Sequence, residues 1–374
     1  MRVGFLASDL TGRHGWGSYS LNLIRALAAQ GIELTILAAR NSPPVDDLDI
    51  HPILPGVTPI ERFFLPRLAA VLPRTRALLR GCDIIHAAIE PYAPLAAWAV
   101  GGRQLFITGH GSYVRLASAR RWPASMIYRQ TFRRGMLVCV SRYTASVAGE
   151  ALPGVRTVVV NNGVEAGRFL TLERPPKAEK SAPLVLSVGA VKARKGTLEL
   201  VRAMAVVRRE IPAARCAIVG SLTTEPDYVT RVRAEIARLG LEGCIDLPGR
   251  VPEADLLDWY TRADVFVMPS INDGWKFEGY GLVYLEAGAA GLPVIGATQS
   301  GAEDAISDGV TGLLARQEHL AADLPELILR ILRDRALAAR MGAAGREKAR
   351  AQTWARVAEQ MAALYGAALQ KSPG

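Results

Sequence analysis

Two glutamates eight residues apart, Glu278 and Glu286, stand in the segment Phe277-Glu278-Gly279-Tyr280-Gly281-Leu282-Val283-Tyr284-Leu285-Glu286-Ala287, just after the apolar run Val265-Phe266-Val267-Met268-Pro269-Ser270. Such a pair arises often by chance on solvated helices. The glycines change its meaning. Gly279 and Gly281 let a ligand approach the backbone, and the helix that follows offers free N–H groups and a positive dipole end suited to a pyrophosphate. Glu286, one to two turns into that helix, can accept both hydroxyls of a ribose, and Glu278, just before it, can accept hydroxyls of whatever the phosphate carries. A retaining glycosidase pair is excluded, because its two carboxyls lie ~5 Å apart whereas eight helical residues span ~12 Å. The second candidate is Lys192-Ala193-Arg194-Lys195-Gly196, where Lys195 beside Arg194 at a strand-to-helix turn suits a diphosphate leaving group.

These residues need a scaffold that brings loops together. Apolar runs bounded by turn residues alternate with helical stretches, the pattern of parallel sheets with crossover helices. It occurs twice. Strands are expected at 2–7, 33–38, 83–87, 105–108, 136–140 and 157–160, then at 184–188, 216–219, 244–247, 265–268 and 293–295. Helices are expected at 19–29, 197–211, 227–239 and 253–262, and throughout the chain from Leu320. Between the two series, Leu170 to Pro183 holds three prolines and five charges without periodicity and reads as a linker. Val357, Met361, Leu364, Tyr365 and Leu369 follow helical spacing in the last segment. Doubly wound sheets bind ligands beyond the carboxyl ends of their strands, so two facing sheets would place a site in the cleft between them.

At 374 residues the chain exceeds one typical core of ~100 to 200 residues, and two domains are expected. Hydrophobic content of 50% with scattered Gly and Pro excludes disorder and collagen-like repeats. Cys82, Cys139, Cys216 and Cys244 form no C-x-x-C pair, which argues against a zinc site or a disulfide framework. Asp47-Leu48-Asp49 matches a D-x-D metal signature but lies in a Pro-rich loop without an acidic or histidine cluster, so no metal is expected. The apolar run Val3 to Ala7 ends far short of a signal-peptide core or the ~20 residues of a membrane span, and a cytoplasmic protein is expected. The net charge of +10 is uneven: residues 1–172 hold 19 Arg, no Lys and 10 acids. An anionic partner or surface is implied.

The segment from Glu278 to Glu286 resembles the Glu-x7-Glu motif of glycosyltransferase family 4, retaining nucleotide-sugar-dependent enzymes of the GT-B fold. Further matches accompany it. Ser187 to Gly196 resembles the family's phosphate-binding strand and loop, and Asn161-Asn162-Gly163-Val164 its N-G-V/I stretch. Leu247-Pro248-Gly249-Arg250-Val251 resembles the loop whose backbone contacts the base, and Ala263 to Ser270 the strand before the motif. Gly15-Trp16-Gly17-Ser18 resembles the glycine-rich loop facing the donor phosphates, and His110, between Gly109 and Gly111, stands where the family places a histidine near the transferred sugar. Ala190 departs from the pattern, since the family usually has Arg there; Lys192 or Arg194 could reach the same phosphate.

The resemblance implies two Rossmann-like doubly wound α/β domains facing across a cleft, with C-terminal helices: an acceptor domain at 1–172, a donor domain at 183–350, and a helix at about 354–370 packed back onto the first. It implies catalytic roles for His110, Lys195 and Glu278, and donor binding by Gly15, Gly17, Lys192, Arg194, Lys195, Val251, Glu278, Gly279, Tyr280, Gly281, Leu282 and Glu286, without a cofactor. The expected function is transfer of a hexose from a GDP- or UDP-sugar to a lipid-linked or saccharide acceptor in cell-envelope polysaccharide, lipopolysaccharide or glycolipid synthesis. Two segments, 60–80 and 115–134, mix aromatic and aliphatic residues with arginines, the composition of interfacial helices, which adds an anionic membrane surface to the partners and a place on the inner face of the cell membrane. Equally, the apolar residues could be core and the arginines a solvated face. Two rivals stand beside this reading: another GT-B enzyme, an epimerase or a phosphorylase, and a nucleic-acid-binding protein on a Rossmann scaffold. No zinc finger, RNA-recognition signature or basic zipper supports the latter, and no nucleic acid is expected as partner.

Overall fold

The computed structural model describes residues 1–12, 15–57, 63–119, 122–173 and 182–370 and divides into two compact units, one of residues 1–163 with the chain from 354 onward, the other of 164–353. In the first, the apolar runs become β1 (Arg2–Leu6), β2 (Glu33–Ala39), β3 (Ile50–Leu54), β4 (Ile84–Ala87), β5 (Gln104–Gly109), β6 (Met136–Cys139) and β7 (Thr157–Val159). They form one sheet in the order β3-β2-β1-β4-β5-β6-β7, every pairing parallel. All four residues of β4 are buried, as is usual for strands covered on both faces by crossover helices. The strand order reverses at β1 and β4, so the loops leaving these strands diverge and open a crevice at their carboxyl ends.

The second unit repeats the plan with β8 (Leu184–Val188), β9 (Arg215–Val219), β10 (Ile245–Gly249), β11 (Val265–Val267), β12 (Val294–Ala297) and β13 (Gly312–Ala315), parallel in the order β10-β9-β8-β11-β12-β13. Its switch point lies between β8 and β11. Two strands go beyond those expected from the sequence, and both are sheet edges: β3 contains Pro52, which an edge strand tolerates, and β13 is only four residues long.

One expectation changes. The chain from Val164 to Leu172 was assigned to the first domain but packs with the second: Val164 N–H donates to Gln352 O at 2.9 Å, the Phe169 ring meets Tyr260 edge-on at 5.2 Å, and the Arg346 guanidinium donates to the carbonyls of Leu170 and Leu172. Most of the expected linker, 174–181, lies outside the described residues. The helix Phe64–Leu78 runs unbroken despite Pro66 and Pro73, holding Phe64, Leu68, Val71 and Thr75 as a buried stripe. Pro66 falls in the first turn, where no N–H is needed.

The last helix, Trp354–Gln370, belongs to the first unit, where it packs on the helix Gly15–Ala29 and buries Trp354, Val357, Ala358, Met361 and Tyr365. Met361 is fully buried, so Met361→Ala should cost about 2–5 kcal/mol. Urea unfolding is expected to show the loss in the transition of the first unit, with that of the second unchanged.

Candidate active site

The second unit builds its site from the loops after β8 and β11. Residues Ala193–Lys195 form one tight turn ended by Gly196 at φ 69°. A side chain at Gly196 would place its Cβ 2.0 Å from the Pro269 carbonyl oxygen, so only glycine lets the two loops touch. Ile271 N–H then donates to Arg194 O at 2.9 Å and fastens the loops together. Three of the residues singled out in the sequence meet as a result. Lys195 Nζ lies 2.5 Å and Arg194 Nη1 2.6 Å from the same oxygen of Glu278, which is almost fully buried. Burial alone would raise the Glu278 carboxyl, but Arg194 and Lys195 hold it down at about 2. Burial lowers the Lys195 ammonium, and Glu278 offsets part of that effect.

Glu225 and Lys276 complete the cluster. The Glu225 carboxylate accepts from Ala193 N–H at 3.0 Å and from Lys276 Nζ at 3.4 Å. Lys192 is lowered first by burial and then by Arg194, with Lys276 adding to the effect and Glu225 opposing it. Lys192, Arg194, Lys195 and Lys276 thus face two carboxylates, and this group of loops is electropositive. Ala190 contributes no charge. Glu225 and Lys276 were not anticipated: a glutamate before Pro226 at a helix start and a lysine in a turn look like solvated residues until the fold brings the two loops together.

Past Glu278 the chain is pinned again. Gly301 N–H donates to Glu278 O at 2.8 Å, and Gly281, at φ 82°, opens the helix Leu282–Ala289. Gly279 and Tyr280 are buried, while Leu282 and, beyond β10, Val251 are partly exposed. Glu286 does not join the cationic cluster. Its Oε2 accepts from the Tyr260 hydroxyl at 3.4 Å, burial raises its carboxyl, and Arg168 acts in the opposite sense. Tyr260 and Arg168 also went unnoticed, because helical spacing gives a buried tyrosine no functional mark.

In the first unit the helix after β1 already starts at Gly15, so Gly17 sits in its first turn, not in a loop before it. A Cβ there would come within 2.3 Å of Thr11 O and 2.7 Å of Asp9 O, so the glycine admits a folded-back loop. His110 follows β5. Its Nε2 lies 2.7 Å from Ala88 O, a pure acceptor, so Nε2 carries the proton and Nδ1 is left as a bare acceptor. Burial pushes the ring down to about 4 and keeps it neutral, and Tyr19 meets it edge-on at 4.5 Å. Asp47 of the D-x-D segment is held by both Nε and Nη2 of Arg25 at 2.8 Å. Among the described residues no group of three or more His, Cys, Asp or Glu is placed to hold a metal ion.

The ion cluster makes stability depend on pH in a stated direction. The Glu278 carboxyl is depressed below its ordinary value of 4.5, so its contribution is present above pH 4.5 and is lost as pH falls toward about 2. Wild type is therefore expected to lose its advantage over Glu278→Gln across that interval in thermal unfolding. Glu278→Ala, which leaves two cations unpaired, should cost about 3–5 kcal/mol near neutrality.

Residues 171–348 match the family model described as glycosyl transferases group 1, and residues 14–168 match that of glycosyltransferase family 4. The chain is 31% identical over 315 residues to the GDP-mannose-dependent alpha-(1-6)-phosphatidylinositol monomannoside mannosyltransferase of Mycobacterium tuberculosis, an alignment covering 77% of each protein. Among solved structures, sucrose-phosphate synthase from Thermosynechococcus elongatus matches with a TM-score of 0.80 at 24% identity, over 99% of this chain and 100% of that one. Anabaena Alr3699/HepE, solved in complex with UDP-glucose, matches with a TM-score of 0.75 at 19% identity, over 98% and 100%. These last two similarities establish the fold. The chain is a glycosyltransferase of family 4, built on the GT-B plan of two Rossmann-like units.

Proposed function

We propose that the protein is a retaining hexosyltransferase that moves a hexose from a GDP- or UDP-sugar to a lipid-linked or saccharide acceptor in cell-envelope polysaccharide or glycolipid synthesis. The observation that carries this reading is the meeting of Lys195 and Arg194 on one oxygen of Glu278 in an electropositive group of loops. One carboxylate cannot neutralise two cations, and a diphosphate supplies the missing charge. On arrival it takes over Lys195 and Arg194, and the Glu278 carboxylate is released to accept hydroxyls of the sugar. Glu286 binds the ribose, and the backbone near Val251 meets the base. The mycobacterial relative is named for a GDP-mannose donor and a phosphatidylinositol monomannoside acceptor, and HepE was solved with UDP-glucose, which supports a nucleotide-sugar donor here.

In this reading the bond from the anomeric carbon to the diphosphate oxygen breaks while the acceptor oxygen forms its bond on the same face. The departing phosphate takes the acceptor's proton. Lys195, Arg194 or Lys192, and the N–H groups of the helix from Leu282 stabilise the leaving diphosphate. His110 acts at the transferred sugar. Lys195→Ala is expected to lower kcat by ~100-fold. Glu286→Gln should weaken nucleoside diphosphate binding by ~1.5–3 kcal/mol, while Glu278→Gln slows turnover and leaves that binding nearly intact. Equal nucleotide affinities for wild type and Glu286→Gln would remove the ribose assignment. Because cationic side chains supply the charge, activity should survive EDTA; full loss with rescue by Mn2+ would contradict this part.

A peripheral place on an anionic membrane is part of the same proposal, in a narrower form than the sequence suggested. Of the two segments, Phe64, Leu68, Leu79, Tyr128 and Phe132 are core, and Arg76, Arg129 and Arg134 donate to backbone carbonyls of Trp98, Ala117 and Ala97. The large apolar side chains that face water are Phe63 at 65%, Trp122 at 76% and Met126 at 44% exposure; Trp122 stands just before the helix Ala124–Arg134, which carries Met126 and exposed Arg133. Ile60, Arg62, Arg120 and Arg121 lie outside the described residues. No described helix is long and apolar enough to cross a membrane. Each arginine at an anionic surface contributes ~1 kcal/mol, so binding should be reversible and salt-sensitive. Co-sedimentation with anionic but not neutral vesicles is expected, and Trp122→Ser with Met126→Ser and Arg133→Ser should abolish it. Absence of sedimentation at low salt would point to a soluble acceptor.

A further inference from the structure

Glu90 takes no part in the chemistry above, yet its placement is hard to explain as structure alone. It opens the short turn Glu90–Tyr92 after β4 and has no exposed surface. No basic side chain among the described residues compensates it. Its Oε1 accepts the backbone N–H of His110 at 2.7 Å, the N–H groups of Gly111 and of Glu90 itself assist, and Oε2 has no partner among the described residues. A buried carboxyl with so little compensation is pushed up to about 8, so it carries a proton near neutrality. Apolar packing would serve a purely structural position better than a carboxyl with a bare oxygen.

The geometry points to Glu90 as the positioning residue of His110, an inference that rests on the reading of His110 as acting at the transferred sugar. β4 and β5 pair in parallel as far as Ala87 and Ile107. Beyond that point the segment 88–90 grips His110 twice: Ala88 O accepts from the ring at Nε2, and the Glu90 side chain takes the backbone N–H. A third contact is the Tyr19 ring, whose hydroxyl is bonded to Thr108 Oγ1 at 3.1 Å. Backbone, ring nitrogen and ring face are all fixed, so the bare Nδ1 keeps one direction. Gly111, at φ 150°, lets the chain turn away at once into Ser112–Arg115. The titratable groups that face Glu90 are His110, Tyr19 and Cys139. An acceptor at Oε1 is what the contact requires; ionisation is not.

Glu90→Gln keeps that acceptor and cannot ionise, whereas Glu90→Leu removes it. In the full-length protein with 15N-labelled histidine, wild type and Glu90→Gln should both show His110 as the Nε2–H tautomer, titrating near pH 4. Glu90→Leu should give mixed tautomers and a titration moved up toward the ordinary value of 6.5. In turnover, Glu90→Gln should stay within about threefold of wild type. Glu90→Leu should lose up to about 100-fold in kcat, as a displaced catalytic group does, with the donor KM little changed. An unaltered His110 spectrum in Glu90→Leu would overturn the proposal, as would equal impairment of Glu90→Gln and Glu90→Leu. If Glu90→Leu does not fold, Glu90→Asp draws the acceptor back by one methylene, and the same spectrum decides. Should His110→Ala retain full turnover while Glu90→Leu still scrambles the His110 tautomer, the role given to His110 fails and the positioning contact stands.

Discussion

The second unit is organised around one buried carboxylate that two cations share. Lys195 and Arg194 reach Glu278 from the loop after β8, and Glu278 hangs from the loop after β11. Removing three charges from water is costly, and the cost is met only if the loops hold them at hydrogen-bond distance. The close passage of Gly196 over Pro269, the bond from Ile271 to Arg194 and the bond from Gly301 to Glu278 all serve that requirement. The same pinning has a functional reading. Cations already fixed by a carboxylate need no rearrangement when a stronger anion replaces it, and preorganised charge of this kind is what stabilises a leaving group. In the proposed function, Glu278 therefore acts as a stand-in for the donor diphosphate.

Both units place some of their candidate residues at a switch in strand order, Gly15 and Gly17 after β1 and Lys195 and Glu278 after β8 and β11, and the reason is topological. Where neighbouring strands β1 and β4, or β8 and β11, send their chains to opposite sides of the sheet, no crossover covers their carboxyl ends. Side chains there are held by a rigid sheet yet remain open on one side. Close backbone approaches then replace side-chain packing: Gly17 over Asp9 and Thr11 in the first unit, Gly196 over Pro269 in the second.

How much of this the sequence revealed depends on the kind of interaction. Long buried strands and amphipathic helices were legible, because a sheet covered on both faces demands continuous apolar runs and each helix one apolar stripe. The helix Glu253–Arg262 has the bounds its pattern implies. Edge strands were not legible: β3 is interrupted by Pro52, and β13 is too short to show a period. Within the site, Lys195, Arg194 and Glu278 could be singled out one by one from glycines and residue type. Their union on one oxygen could not, since it depends on a loop contact between residues some eighty positions apart. Glu225, Lys276, Tyr260 and Glu90 carry no local signature at all; each matters only through a partner the fold supplies.

The return of the last helix to the first unit follows the same logic. His86, fully buried in β4, has both ring nitrogens engaged, Nδ1 with the Tyr365 hydroxyl at 2.6 Å and Nε2 with Thr108 Oγ1 at 2.8 Å. Burial pushes this ring down to about 3, so it is neutral and has a single N–H. One of the two hydroxyls must therefore donate to His86 while the other accepts, and whichever way Tyr365 points sets the direction at Thr108. Thr108 in turn meets the Tyr19 hydroxyl, and the Tyr19 ring lies against His110. A helix that begins 244 residues after His110 in the chain thus closes a buried polar row that would otherwise end in an unpaired imidazole nitrogen, and that row backs the aromatic ring on which His110 rests. An apolar residue at 365 would fill the space but leave His86 without its partner, which is the costlier error in a dry core.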